Sequence, residues 1–413
     1  MTLSRLRRAL VAVTVASLAC SNPSEPGSEP ITSLPRQLSG AEQKLISASN
    51  AFAFDLLHQI NTAQRDSNVF VSPLSASMAL GMTANGAVGT TYDAMHNTLR
   101  LGDATREEVN EGYKSLIALL RGLDKSTDFR IANSIWYEKT FPFNSSFLTE
   151  SKTFFDAEVA GLDFASPSAL TTINSWVNQS TNTKIPKILD EIDQAEVMFL
   201  INAIYFKGSW QKQFNKSETS SAPFHAYDGS TPTVQLMHQS LPLRIAATSA
   251  FTAVDLLYGN SAFAMTVVLP AQGVDVNTVA TSLTEASWKS LESSFHDQET
   301  DLYLPQFKLT WGRELNSDLT GLGMGVAFDE QLADFSRMSP RGEDLFITKV
   351  IQKTFVDVNE EGTEAAAVTS VGIGVTSLPQ KVLVRVDRPF VFVIRERFSG
   401  TILFMGKIVK LPA

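Results

Sequence analysis

The chain has 413 residues, 44% of them hydrophobic and 19% charged, with a formal net charge of −9. An acidic surface argues against nonspecific phosphate binding, so no nucleic-acid partner is expected, and the apolar fraction excludes a mostly disordered chain. One cysteine excludes an internal disulfide or a multi-cysteine zinc site, and five histidines without HExxH spacing supply no metalloprotease helix. Neither metal nor cofactor is expected.

At the start of the chain, Arg5, Arg7 and Arg8 precede an apolar run, Ala9–Ala19, that is too short to span a bilayer. Residues 1–19 read as a signal peptide for export. Ser17-Leu18-Ala19-Cys20 resembles the lipobox of bacterial lipoproteins, although Ser17 stands where those proteins usually carry an aliphatic residue. Lipidation of Cys20 is the reading this supports; ordinary secretion after cleavage near Ala19 is the alternative. Membrane contact is expected only through that lipid. Residues 20–37 read as a disordered tether, because 21–36 hold four Pro, four Ser and one Gly.

From residue 38 onward there is no second linker and no internal repeat. Ser39 with Glu42 forms a capping-box pattern, opening a helix whose Leu45, Phe52, Leu56 and Ile60 share a face. A second amphipathic stretch runs over 107–120. Strand-like runs follow at 197–206, 263–269 and 345–358. A buried hairpin, 390–394 with 401–405, turns at Ser399-Gly400. Helices dominate the first half and strands the second, which predicts an α+β fold rather than alternating βαβ units.

Catalytic patterns fail. There is no GxSxG nucleophile elbow and no GxxxxGK[ST] phosphate loop, and Gly321, Gly323 and Gly325 read as a turn. The informative stretch is 359–379, NEEGTEAAAVTSVGIGVTSLP, placed between two strand-like runs. From Gly362 to Ser377 it holds one charge, Glu364, and no Pro. Thr363, Ala365, Ala367 and Thr369 would share one strand face; Glu364, Ala366 and Val368 would share the other. On composition alone a plain flexible surface loop is the favoured reading, and a loop able to become a strand with its carboxylate toward solvent is the alternative.

Gly362-Thr-Glu-Ala-Ala-Ala-Val-Thr369 resembles the hinge of the serpin reactive-centre loop. Val384–Ile394, with Asp387, Pro389 and Phe390, resembles the C-terminal signature of that family. Asn68–Ser75, Asn202 with Phe206–Trp210, and Thr401–Gly406 resemble three further serpin segments, all in family order. The chain is thereby identified as a serpin of bacterial, exported type, with its domain over 38–413.

The resemblance implies a single-domain fold with three β-sheets, about nine helices and an exposed reactive-centre loop. It implies no enzyme but an irreversible suicide-substrate inhibitor of serine proteases, joined covalently to its target as an acyl-enzyme and otherwise monomeric. The loop would be cleaved at Thr376–Ser377, with Val375 and Leu378 as neighbouring alternatives, and would insert into the central sheet, hinge first. Thr376 suits elastase-like or subtilisin-like pockets, since it lacks the cation for trypsin-like and the ring for chymotrypsin-like ones. Papain-like cysteine proteases remain an alternative target, and a non-inhibitory binding or carrier serpin an alternative role. Ser72, Ser75, Asn202 and Gln352 would form the buried polar cluster beneath the sheet, with Gln352 where many animal serpins have histidine. Trp210 would mark the point where the sheet opens. Basic residues do not cluster in the 105–122 helix, so glycosaminoglycan activation has no support.

Overall fold

The computed structural model describes residues 29–193, 195–363 and 381–412. The first helix starts where its capping box places it. Ser39 Oγ accepts the Glu42 N–H at 3.2 Å, and the Glu42 carboxylate accepts the Ser39 N–H at 2.7 Å. That helix, α1 (Gly40–Ala63), buries Leu45, Phe52, Leu56 and Ile60 completely or nearly so. Part of the expected tether also packs on the fold. The Ile31 N–H donates to the Asn260 carbonyl at 2.8 Å, and Arg36 grips the fully buried Glu42 carboxylate at 2.6 and 2.8 Å.

The remaining helices are α2 (Pro73–Ala84), α3 (Gly89–Thr98), α4 (Arg106–Gly122), α5 (Ser145–Phe155) and α6 (Pro167–Ser180), then α7 (Val276–Ser282), α8 (Glu285–Ser294) and the single turn α9 (Asn316–Leu319). A second capping box, Thr105 with Glu108, opens α4. The strands begin with β1 (Val69–Val71), β2 (Asp128–Glu138), β3 (Ala157–Leu162), β4 (Met198–Ser209) and β5 (Ser220–Pro223). They continue with β6 (Thr233–Ala247), β7 (Phe251–Leu257), β8 (Phe263–Pro270), β9 (His296–Pro305) and β10 (Phe307–Glu314). Last come β11 (Ile351–Asn359), β12 (Gly362–Thr363), β13 (Val382–Arg385), β14 (Phe390–Glu396) and β15 (Ile402–Ile408).

Among the described residues the strands form one six-stranded sheet, ordered β10-β11-β12-β4-β2-β3, and one nine-stranded sheet. The nine-stranded sheet runs β1-β15-β14-β8-β7-β6-β9-β13, with β5 added to β6. The three sheets expected from the sequence are present as this central sheet and two lobes of the larger one. They are joined because β6 is long enough to serve both: residues 236–245 pair with β9, and 244–247 pair with β7. The predicted hairpin is the β14–β15 pair, whose seven residues per strand are all buried, and Gly400 takes φ +74° at its turn. Phe70 of β1 stacks between Phe392 and Phe404 and ties this hairpin to the start of α2.

Two sequence readings are corrected in detail. The strand expected over 345–358 begins only at Ile351. Before it, Leu345, Ile347 and Val350 pack against the core without a strand ladder. The Asn316 side chain binds Thr348 O at 2.7 Å and Val350 N–H at 2.8 Å, and Ile347 N–H reaches Ala327 O at 2.9 Å. Side chain and loop satisfy the backbone there, so no strand partner is required. The Gly321–Gly325 segment is a helical kink, with only Gly323 at positive φ, +104°.

Candidate functional site

The central sheet is divided between β4 and β11. These strands have no ladder with each other among the described residues; β12 stands between their ends and pairs with both. Thr363 lies opposite Gly208 of β4 and Val358 of β11, and Gly362 lies opposite Ser209 and Asn359. Gly362 and Thr363, the first two residues of the expected hinge, therefore form a short strand at the mouth of a slot. Gly362 is required there. Its φ is +148°, and a Cβ would stand 2.1 Å from the Gly208 carbonyl oxygen.

Thr363 is 2% exposed, and its hydroxyl pairs with that of Tyr258 at 2.8 Å. Burial raises the Tyr258 phenol pKa, so the hydroxyl stays protonated and available to this pair. The Tyr258 ring stacks on Trp210, with centroids 4.4 Å apart and planes 15° from parallel. Trp210 in turn donates Nε1–H to Asn359 O at 2.8 Å and its backbone N–H to Glu361 O at 2.9 Å.

The turn leading into Gly362 is strapped from outside. Lys216 pairs with Glu361 at 2.6 Å, while the Glu360 carboxylate accepts from Thr219 Oγ at 2.6 Å and Gln306 Nε2 at 2.7 Å. A carboxylate so held fixes the turn that leads into β12.

Lower in the slot lies the polar cluster expected from the sequence. Gln352 on β11 makes a reciprocal pair with the backbone of Ser72, accepting its N–H at 2.9 Å and donating to its carbonyl at 2.8 Å. Ser72 Oγ caps α2 and donates to Leu403 O at 2.8 Å, joining the cluster to β15. Ser75 Oγ reaches Asn202 O of β4 at 3.4 Å. The Asn202 amide donates to Asn133 Oδ1 on β2, leaving Asn202 Oδ1 buried without a hydrogen-bond partner. A glutamine thus fills both backbone demands of Ser72 with one uncharged side chain, where histidine would make the joint titratable.

Beside the cluster a cavity of about 290 Å3 opens between α2, the first residues of β4 and the 345–352 segment. Its wall includes Ala76, Leu80, Leu200, Ile201 and Ile351.

Sequence reasoning placed Ser72, Ser75, Asn202 and Gln352 in one cluster; the structure brings these four residues to the lower slot and puts Trp210, Gly362 and Thr363 at its mouth. Glu364, Ala365, Ala366, Ala367, Val368 and Thr369 of the hinge, the Thr376–Ser377 bond and Cys20 lie outside the described residues. It missed Tyr258, Lys216, Thr219, Glu360, Gln306 and Asn133. Of these only Glu360, within the quoted NEEGTE run, carried a local signal.

Among the described residues the central sheet is thus split, with only the two residues of β12 between the ends of β4 and β11. The family model Serpin (serine protease inhibitor) matches residues 47–411. Human Serpin B11 is 33% identical over 388 residues, covering 88% of this chain and 98% of that protein. Leukocyte elastase inhibitor of Xenopus laevis is 35% identical over 379 residues, covering 88% and 99%. The native state of Tengpin, a thermophilic serpin, superposes with a TM-score of 0.81 at 30% identity, covering 93% of this chain and 97% of Tengpin. Human thyroxine-binding globulin complexed with thyroxine superposes at a TM-score of 0.83, with 28% identity and coverage of 91% of this chain and 100% of that one. The chain belongs to the serpin family of serine protease inhibitors and has the serpin fold.

Proposed function

We propose that the protein traps serine proteases by offering Thr376–Ser377 as a substrate bond and then inserting its loop between β4 and β11. The observation that carries this reading is β12, which supplies both the entry point and the register. Each further loop residue would pair one residue lower on both flanking strands. Thr369, six residues after Thr363, would then arrive opposite Asn202 and Gln352, each six residues below the partners of Thr363. Its hydroxyl would offer a donor to the unpartnered Asn202 Oδ1. Val371, Ile373 and Val375 would follow on the same face toward the cavity beside α2.

The protease serine attacks the Thr376 carbonyl and the Ser377 amine leaves, giving an ester between Thr376 and the enzyme. Insertion would carry that ester thirteen residues down the sheet from Thr363, about 40 Å at 3.3 Å per residue. The hinge faces suit the journey. Thr363, Ala365, Ala367 and Thr369 bring no charge and no proline to the inward side, so neither an unpaired buried charge nor a lost ladder donor opposes entry.

Elastase-like or subtilisin-like proteases are the proposed targets, supported by small, β-branched Thr376 and by relatives named leukocyte elastase inhibitor. Residues 1–19 are proposed as an export signal, with Cys20 lipidated and a tether leading to a domain that acts as a monomer outside the cytoplasm, as in a bacterial exported serpin. A second reading, a carrier serpin, is favoured by the match to thyroxine-bound thyroxine-binding globulin. Mixing the purified protein with elastase or subtilisin separates the two: a trap gives a covalent complex that survives SDS, and a carrier is merely cleaved.

A further inference from the structure

The solvent face of β6, β9 and β13 carries an arrangement that neither the fold nor the insertion route uses. Val384 of β13 is buried and Val382 packs on the core, so alternation turns Leu383 outward, where it is 64% exposed. A leucine so exposed gains little from folding. The side chains around it are paired with one another. Arg385 lies 4.9 Å over the Tyr303 ring, and His238 stacks on that ring at 4.5 Å, with its Nδ1 2.9 Å from Glu218. Lys381 is pinned to Ser240 Oγ at 2.7 Å and to Asp301 at 3.8 Å. An exposed apolar knob beside an ordered arginine–tyrosine stack has the composition of an interface anchor, and little side-chain freedom remains to be lost on contact.

We infer that this face, centred on Leu383, is a second contact surface for the target protease, recognising an apolar patch on the leaving-group rim of its cleft. The inference rests on the proposed reactive bond. Ser377 is four residue steps from Lys381 and six from Leu383, so the bond under attack is held within about 14 Å of Lys381 and about 21 Å of Leu383. A globular protease bound to the loop must overhang β13, and the tether concentrates its rim against this face. An apolar contact there adds to complex formation without entering the slot.

The test compares wild type with Leu383→Ser, measuring the rate constant of covalent complex formation with elastase and with subtilisin. Melting temperature and the number of inhibitor molecules consumed per trapped enzyme are followed in parallel. The expected result is a rate about tenfold lower against a protease that wild type traps, with the other two quantities unchanged and with Leu383→Met restoring most of the rate. An unchanged rate against every trapped protease overturns the inference. So does a loss accompanied by a lower melting temperature or higher consumption, which would assign Leu383 to folding or insertion, and so does a change confined to self-association. If wild type traps no serine protease, the inhibitor reading itself fails, and this surface loses its partner with it.

Discussion

The two ends of the slot are built on opposite principles. At the mouth, stacked rings, a buried hydroxyl pair and a strapped turn hold the hinge in place: Trp210, Tyr258 and Thr363 inside, Lys216, Thr219 and Gln306 outside. Lower down, a single glutamine satisfies the Ser72 backbone, a buried Asn202 oxygen has no partner, and a cavity lies alongside. The mouth is complete as it stands. The lower slot is closed by few bonds and holds an acceptor and a volume that an added strand would fill. In the proposed mechanism this contrast would put guidance at the top and unrealised packing energy below.

The largest expected effect breaks the guidance. Thr363→Arg places a cation where the side chain is buried against Tyr258, and it should convert the protein from inhibitor to substrate. SDS-stable complex should vanish on gels while loop cleavage continues; complex persisting at wild-type yield contradicts the role given to the mouth.

Gln352→Leu strikes the lower end. It strands the buried N–H and carbonyl of Ser72, and unfolding experiments should show a loss of about 2–4 kcal/mol. Gln352→His sharpens the same point. It should introduce a dependence of stability on pH between about 5 and 8 at this joint, where wild type has an uncharged amide. Equal pH profiles for the two proteins would mean that the cluster is not sensed by the fold.

Trp210→Phe keeps the ring stack but removes the hydrogen bond to Asn359 O. The cost should be about 1 kcal/mol, seen as a small drop in melting temperature together with faster loss of inhibitory activity on standing. A drop as large as that of Gln352→Leu would erase the distinction between the two ends.

Arg36→Ala serves as a control remote from both. Burial raises the Glu42 pKa, but hydrogen bonds from Arg36, Ser39 and Ser115 outweigh it and hold the carboxyl at about 2. A depressed pKa means that this contribution is complete above the ordinary value of 4.5 and is lost as pH falls from there toward about 2. The variant should be slightly less stable at neutral pH and converge on wild type in acid, with complex formation unaltered. A stability gap that persists at pH 2 would contradict the assignment.

Much of this was legible because the relevant signals are local. Ser39 and Glu42 sit three residues apart, the β14–β15 hairpin is a continuous apolar run with a glycine turn, and the hinge alternates by twos. The mouth was not legible in the same way. Tyr258 meets Thr363 across 105 residues, and nothing in its own neighbourhood marks it. Lys216, Thr219 and Gln306 converge on Glu360 and Glu361 only because β4, β6 and β10 are folded beside them. The false start of β11 has the same cause. Leu345–Val350 has the composition of a strand, but Asn316 from α9 takes its backbone bonds instead.

Cutting the purified protein once near Thr376–Ser377 and comparing the melting temperatures of cut and intact chains tests the central claim most directly. The account predicts a large rise, because the freed segment completes the sheet between β4 and β11. A cut protein that melts at or below the temperature of the intact one would contradict it.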